Sequence, residues 1–363
     1  MRRVILYSLL LITTIQFVLL LSDAGYPVDE HSDMFARVEA KAQEWHDACL
    51  YRLHSLDLAP RTEALAAGLL LGDKRFIDPE ARNEIRDAGM SHILAVSGLH
   101  VGIVWVLIGL TLSLFLPLVM RLGWNELPFY YGLRVVTLLL LWLYVLVVGC
   151  PPSALRAGVM ITITQISYFV HRDAWGWHNL ALAVIVLLLV SPSLLYDVGF
   201  QLSVTSTAGI MAFSPLLSSG HDPYRHRPWR DVVGNWVKRM LVLTFSAQVF
   251  AFPLVAYYFH FIPLLGWLQG LFVFPLVSVL IYGFILLMLC PPLVVVGLPL
   301  ELASDWVYAF ASFVSRAEVW LAGGRAEWFP SVAEVIVMEL MLVVAVSCWR
   351  IGHDKEARLN THI

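Results

Sequence analysis

The chain has 363 residues, of which 59% are hydrophobic and only 14% are charged. A soluble globular domain is about half apolar and about a quarter charged, so this composition excludes such a domain and indicates a membrane protein with several spans. The formal net charge of −3 does not indicate a partner, because in a membrane protein the position of charges matters more than their sum.

The first predicted element is the apolar run 4–21, which follows Arg2 and Arg3. Two basic residues before a run of this length are typical of an anchor helix with a cytoplasmic N-terminus. A signal peptide is the alternative, because Ser22 and Ala24 are small or polar residues at suitable offsets for cleavage. The length of the run favours an uncleaved anchor, and both alternatives place the next segment outside the cytoplasm.

Residues 22–90 are predicted to form extracytoplasmic amphipathic helices. One helix is expected over 33–52 and another over 61–71. A third starts at Asp78-Pro79, where a carboxylate cap precedes a proline in the first turn. These helices are expected to lie on the outer membrane–water boundary.

From residue 91 onward, hydrophobic spans follow in close order. They are predicted near 91–120, 129–149, 153–170, 178–191, 198–217, 240–260, 263–289, 293–313 and 332–349. With the first run, the prediction is an all-α, polytopic transmembrane helix bundle of about ten spans, with a membrane domain over 91–349 and a cytoplasmic tail over 350–363. The run 263–289 forms either one span or two short helices. The run 293–313 forms a span, an interfacial helix or a re-entrant segment, because it contains Pro299, Glu301 and Asp305.

The distribution of basic residues gives the predicted orientation. With the N-terminus inside, most Lys and Arg residues of the short loops fall on the cytoplasmic side, as the positive-inside rule requires. The sequence therefore predicts a multi-pass protein of the inner (plasma) membrane with a cytoplasmic N-terminus.

The segment 88–104, AGMSHILAVSGLHVGIV, is the most informative stretch of the chain. Ser97 and Gly98 favour a bent or broken helix at this point. His92 and His100 place ionisable groups in a membrane-embedded run, where such groups commonly line a cavity or a path. The alternative is a packed kink in which neighbouring carbonyl groups satisfy each histidine.

Three later spans contain further candidates for a polar path. Arg156 lies one turn into its span, where it either extends to the lipid headgroups or offers a planar charged fork to phosphate. Gln201 and Ser203 either join helices through hydrogen bonds or line a hydrated passage. Gln248 is another polar residue in an apolar span.

No catalytic motif is recognised in this sequence, so no enzyme activity is predicted. It contains no metalloprotease or phosphate-binding loop pattern and no nucleophile elbow. The four cysteines (Cys49, Cys150, Cys290 and Cys348) have neither disulfide-framework nor zinc spacing. No metal or cofactor is predicted.

Several of these segments, taken together and in order, resemble the competence domain of the ComEC family, the inner-membrane channel for DNA uptake in transformable bacteria. The matching blocks are 69–74 (LLLGDK), 89–101 (GMSHILAVSGLHV), 152–157 (PSALRA), 199–203 (GFQLS) and 246–248 (SAQ) with Pro253 and 257–259 (YYF). The resemblance covers roughly residues 45 to 315. The block 89–101 is the most distinctive.

The resemblance implies a water-lined channel component that passes single-stranded DNA into the cytoplasm during natural transformation. His92, Ser97, Gly98, His100, Arg156, Gln201, Ser203 and Gln248 are the candidate channel-lining residues. Besides DNA and membrane lipid, it implies a separate nuclease, a DNA receptor and a cytoplasmic motor, and it is compatible with a homo-oligomer.

The sequence also departs from the larger family members. These carry an outer OB-like domain and a C-terminal metallo-β-lactamase-like nuclease domain, and neither is expected in this sequence. Two other functions remain open: a non-conducting scaffold for DNA uptake, and an intramembrane enzyme or small-solute transporter that uses Ser97 and His100.

Overall fold

A computed structural model describes residues 33–94, 96–115, 117, 121, 126–169, 176–217, 229–260, 265–290, 297–322 and 328–360. The predicted anchor over 4–21 lies outside these ranges. The α-helices are α1 (Asp33–His54), α2 (Pro60–Leu71), α3 (Pro79–Asp87), α4 (Gly98–Ser113), α5 (Glu126–Val147), α6 (Pro152–Phe169), α7 (Trp177–Val190), α8 (Val198–Ala212), α9 (Ser214–Leu217), α10 (Trp229–Phe259), α11 (Gln269–Leu289), α12 (Gly297–Ala322) and α13 (Val332–Asn360). The all-helical prediction is confirmed for the described residues.

The helices belong to two compact units. The first unit contains α1 to α6, α12 and most of α11. The second unit contains α7 to α10 and α13.

In the first unit, α2 differs from the amphipathic surface helix that was expected. Most of its side chains, including Leu65 and Leu69, are buried. The helix packs against α1 on one side and α12 on another. A helix that is apolar on all sides is typical of a core position, so α2 is a core element of this unit.

Helices α4, α5 and α6 pack against one another in the same unit. Trp142 of α5 donates from Nε1 to Thr162 Oγ1 of α6 at 3.0 Å. On the α1 side of α5, His46 Nδ1 lies 3.0 Å from the carbonyl oxygen of Val147. The C-terminal part of α5 is thereby tied to α6 and to α1.

In the second unit, α8 and α10 form the closest helix pair. Gly209 permits this approach, since a β-carbon there would overlap the carbonyl oxygen of Ser246. Helix α13 runs antiparallel to α10: Trp328 N–H donates to the His260 carbonyl at 3.3 Å, and Val335 shares a buried cluster with Leu254.

Three described helical segments are long and apolar enough to cross a membrane: Phe129–Val147, Trp229–Phe259 and Gly270–Leu289. The shorter helices Gly98–Ser113 and Trp177–Val190 are also apolar. Such helices satisfy all interior backbone groups within one segment, which hydrocarbon requires. These features are those of a helical membrane protein.

Candidate functional site

Ser97 is the N-cap of α4, which begins at Gly98. The Ser97 backbone is extended, with φ −102° and ψ 171°. Its N–H donates to His100 Nδ1 at 3.2 Å, and its hydroxyl oxygen lies 2.8 Å from the same nitrogen. A third-position side chain that bonds back to the cap is the arrangement of a capping box. Ser97 and His100 are thus joined by the start of a helix, and the predicted break in the span is a true helix boundary.

The hydrogen bond to Ser97 fixes the tautomer of the neutral His100 ring. Because Nδ1 accepts the Ser97 N–H, the ring hydrogen lies on Nε2. His100 is only 1% exposed, and its Nε2 has no hydrogen-bond partner within the described ranges. Within the described ranges an N–H donor is therefore buried without an acceptor, and such burial costs about 1–3 kcal/mol.

Arg156 of α6 lies against the beginning of α4. Its side chain is 8% exposed, so it does not extend to the surface as the headgroup alternative would require. Its Nη1 donates to Met160 Sδ at 3.2 Å. A β-carbon on Gly98 would lie 3.0 Å from Arg156 Nη2 and 3.4 Å from the Ala157 β-carbon. Glycine at position 98 therefore leaves the space that the guanidinium occupies.

A second contact holds α6 at this position. Ser153 Oγ donates to the carbonyl oxygen of Val96 at 2.7 Å. The beginning of α6 is thus tied to the residue just before the Ser97 cap. Arg156 and the first turn of α4 are neighbours because both helices start from this junction.

The N-terminus of a helix carries a partial positive charge. The guanidinium of Arg156 adds a full positive charge beside it. The local field at the start of α4 therefore favours a negatively charged group, and guanidinium is well suited to a phosphate or carboxylate.

His92 lies in the same unit but is more accessible. The residue as a whole is exposed, and its Nδ1 is 3.2 Å from the carbonyl oxygen of Gly89. The ring meets Phe274 of α11 edge-on, with 5.9 Å between centroids. The first unit thus contains five of the candidate residues: His92, Ser97, Gly98, His100 and Arg156.

Gln201, Ser203 and Gln248 belong to the second unit. Gln201 is buried; its Nε2 donates to the Leu195 carbonyl at 2.9 Å, and its Oε1 accepts from Tyr258 Oη at 2.9 Å. Both ends of the amide are satisfied, as expected for a residue that joins helices. Ser203 is half-buried, and its carbonyl accepts from Thr207 Oγ1 at 2.8 Å. Gln248 is half-buried on α10.

Sequence reasoning missed Arg134. Its guanidinium carbon lies 3.8 Å from the centroid of the Tyr168 ring and 4.8 Å from that of Tyr130. Its Nη1 donates to Gln165 Oε1 at 2.7 Å. The four-residue spacing of Tyr130 and Arg134 was the available signal. The arrangement joins α5 and α6 through cation–π contacts.

Sequence reasoning also missed a cluster of charged residues that follows α2. The buried carboxylate of Asp73 accepts from Arg75 Nε at 3.0 Å and Nη2 at 2.6 Å, and His46 Nε2 lies 3.8 Å away. The hydrogen-bonded guanidinium of Arg75 lowers the pKa of Asp73 despite its burial. The order of residues in 69–75 signalled a turn but did not reveal His46 as its neighbour.

Comparison with known proteins places the chain in a family. A family model described as "Competence protein" matches residues 69–352, and the chain belongs to that family. No solved structure matches.

Three curated relatives share part of this region. ComE operon protein 3 of Bacillus subtilis (strain 168) is 31% identical over 203 residues, which are 56% of this chain and 23% of the relative. The uncharacterized protein YcaI of Escherichia coli (strain K12) is 25% identical, covering 59% of this chain and 27% of the relative. Recombination protein 2 of Haemophilus influenzae is 23% identical, covering 62% and 28%. The chain spans about a quarter of the length of these relatives.

Proposed function

We propose that this chain is a component of the channel that carries single-stranded DNA across the inner membrane during natural transformation. Membership of the competence family supports a role in DNA uptake. The apolar helices support a place in the membrane. The observation that carries the channel proposal is the buried guanidinium of Arg156 beside the N-terminus of α4.

The chemistry of single-stranded DNA explains why a buried guanidinium at a helix N-terminus supports the channel proposal. A DNA strand presents a phosphodiester anion at every nucleotide, and its passage requires fixed positive or hydrogen-bonding groups that do not select a base. Arg156 supplies a charged donor, and the first turn of α4 supplies a positive end. His100 Nε2–H, buried without a partner in the described part of the chain, supplies a neutral donor on the same helical turn.

In this proposal the protein lies in the inner membrane with its N-terminus in the cytoplasm and crosses it about ten times. The membrane domain extends over 91–349, preceded by the extracytoplasmic segment 22–90. A DNA receptor, a nuclease and a cytoplasmic motor act beside it, because pore-lining donors alone provide no directional force.

The deciding experiment follows labelled DNA into a naturally transformable host that lacks the gene. Without the protein, DNA should remain outside the cytoplasm, and normal arrival would overturn the proposal. In complemented strains, Arg156→Ala should lower cytoplasmic arrival at unchanged protein level, and Arg156→Lys should retain part of it. The matched control is Arg121→Ala, which removes an exposed arginine and should leave uptake normal. Equal uptake in all variants would contradict a role for Arg156.

One observation favours a second candidate function, a nucleophile–base pair of Ser97 and His100. The 2.8 Å contact between Ser97 Oγ and His100 Nδ1 is within the reach that nucleophilic catalysis requires. The same Nδ1 accepts the Ser97 backbone N–H, as a helix cap does. Ser97→Asn separates the two functions, because asparagine caps a helix as well as serine does but is not a nucleophile. In a host whose DNA uptake depends on the protein, uptake retained in this variant contradicts a catalytic role for Ser97.

A further inference from the structure

Helix α12 of the first unit has one face that is firmly bound to the protein. Its buried side chains include Leu300, Val307 and Val314. The helix packs against α2 and α3. Glu301 Oε1 accepts from the Ala59 N–H at 3.0 Å, and Ser312 Oγ donates to Glu84 Oε1 at 2.9 Å. One face of α12 is therefore fixed along its length.

The opposite face of α12 is largely apolar, and the described part of the chain does not cover it. Five of its most exposed large side chains are Leu298, Leu302, Trp306, Phe313 and Trp320, with exposed fractions from 59% to 80%. Their spacing of four and seven residues keeps them on one side of the helix. We call this set the outer stripe of α12. Isolated apolar side chains on a surface are ordinary, but five large ones along one side of a helix mark an interaction surface.

Two charged residues prevent this helix from crossing a bilayer with the stripe facing lipid. Asp305 and Arg316 are both exposed on the same side as the stripe. The segment between them is about 15 Å long at 1.5 Å per residue, whereas the hydrocarbon core is about 30 Å thick. A transmembrane α12 would therefore place at least one exposed charge in hydrocarbon, which is costly.

We propose that α12 lies in the plane of the membrane–water interface, with its outer stripe inserted into the lipid at the boundary of headgroups and acyl chains. The occupant of the stripe is thus the lipid bilayer. Trp306 and Trp320 are of the residue type enriched at this depth. Asp305 and Arg316 reach the headgroup region from such a position, as the polar residues of interfacial helices do.

The proposal has a consequence for the architecture of the first unit. An interfacial helix begins and ends on the same side of the membrane. The contacts of α12 with α2 and α3 then hold those helices against the bilayer surface. The predicted run 293–313 then does not count as a span, which selects the interfacial alternative for it and reduces the ten predicted spans by one.

The interfacial position of α12 is tested by measuring the depth of labels attached at single sites of the helix. In a background with all four cysteines replaced, the variants Leu298→Cys, Leu302→Cys, Phe313→Cys and Trp320→Cys receive an environment-sensitive fluorophore. The full chain is reconstituted in phosphatidylethanolamine–phosphatidylglycerol vesicles, and quenching by lipids that carry the quencher at known depths reports each position. All four labels should lie at a similar shallow depth, within about 5–10 Å of the headgroup boundary.

Helix α11 offers the matched control. Phe272, Val279 and Leu286 are exposed on this helix, which is long and apolar enough to span. Labels at these positions should differ in depth, with the greatest depth near the middle of the helix. A similar depth gradient along α12 would overturn the proposal. So would labels on the stripe that no lipid quencher reaches, which would indicate a second copy or another protein. Neither result depends on DNA, so the channel proposal is tested separately.

Discussion

Gly98 and Arg156 fit against each other so closely that a β-carbon at position 98 would lie 3.0 Å from Arg156 Nη2. The contact joins the first turn of α4 to the first half of α6. It places a permanent positive charge at a helix N-terminus, where the helix dipole already favours an anion. The proposed passage of phosphates depends on this pair more than on any other contact in the first unit.

Gly98→Ala should displace the guanidinium without unfolding the protein. The obstructing atom is the far end of a flexible side chain, and alanine is favoured over glycine within a helix by about 0.5–1 kcal/mol. We therefore expect a normal protein level and a similar melting temperature in detergent, but lower arrival of labelled DNA in the cytoplasm.

Gly102→Ala is the control for this prediction. Gly102 lies one turn further along α4, and a β-carbon there would meet nothing within 4 Å. DNA uptake should remain normal in this variant. If Gly98→Ala also takes up DNA normally, the position of Arg156 is not critical for passage.

Ser97→Ala should destabilise α4, whereas Ser97→Asn should not. Loss of a serine N-cap costs about 1 kcal/mol, and asparagine replaces serine at this position with little loss. Thermal unfolding of the purified proteins measures the difference. Equal melting temperatures for all three proteins would mean that the Ser97–His100 contact contributes nothing to the helix start.

The sequence predicted the middle of the fold well, because hydropathy and prolines define it. The predicted spans 129–149, 153–170 and 178–191 agree with α5, α6 and α7 to within a few residues. Proline at the start of α6 and glycine before α7 are local signals that need no tertiary information. The span predicted from residue 91 begins as a helix only at Gly98, where Ser97 and Gly98 predicted a break that hydropathy alone does not register.

The residues of the candidate site were predicted, but their tertiary partners were not, because hydropathy and spacing do not show which side chains meet in the fold. The Ser97–His100 pair was identified from its spacing, but its role as a helix cap was not. Gln201 was recognised as polar, yet its partner Tyr258 belongs to another helix and could not be inferred. Outside that site, the buried carboxyl group of Glu339 on α13 was not predicted, because its apolar neighbours dominate the pattern.

Asp73→Asn should remove an acid-sensitive contribution to stability. Arg75 lowers the pKa of the folded Asp73 below the unfolded value of about 3.9. The folded state therefore gains stability from this group above that value and loses it as the pH falls through the lower, folded pKa. The melting temperature of the variant should be below that of the parent at neutral pH, and the two should approach each other below about pH 4.

Asp57→Asn is the control for the acid measurement. Asp57 is exposed and has a positive φ of 50°, a conformation that asparagine tolerates well. Its replacement should leave the melting temperature at neutral pH close to that of the parent protein. A gap between the Asp73→Asn and parent proteins that persists unchanged in acid would show that the hydrogen-bond geometry, and not the charge, matters.

Two glutamates on α13 should respond in opposite ways to replacement. Glu339 is 3% exposed, and its Oε1 has no hydrogen-bond partner in the described part of the chain. A buried polar group without a partner is unfavourable, so Glu339→Leu should keep or raise the melting temperature.

Glu334 instead accepts from the Ser331 N–H at 2.7 Å, and Ser331 Oγ accepts from the Glu334 N–H at 3.4 Å. This is a capping box, so Glu334→Ala should lower stability by about 1 kcal/mol.

The contrast makes Glu339 informative about function as well as stability. If Glu339→Leu is as stable as the parent and takes up DNA normally, the carboxyl group is dispensable in both respects. If the variant is clearly less stable, Glu339 has a partner in the folded protein that offsets its burial. A stable variant with impaired uptake would assign the carboxyl group to the transport step, because carboxylates retained within membrane helices commonly serve function at the expense of stability.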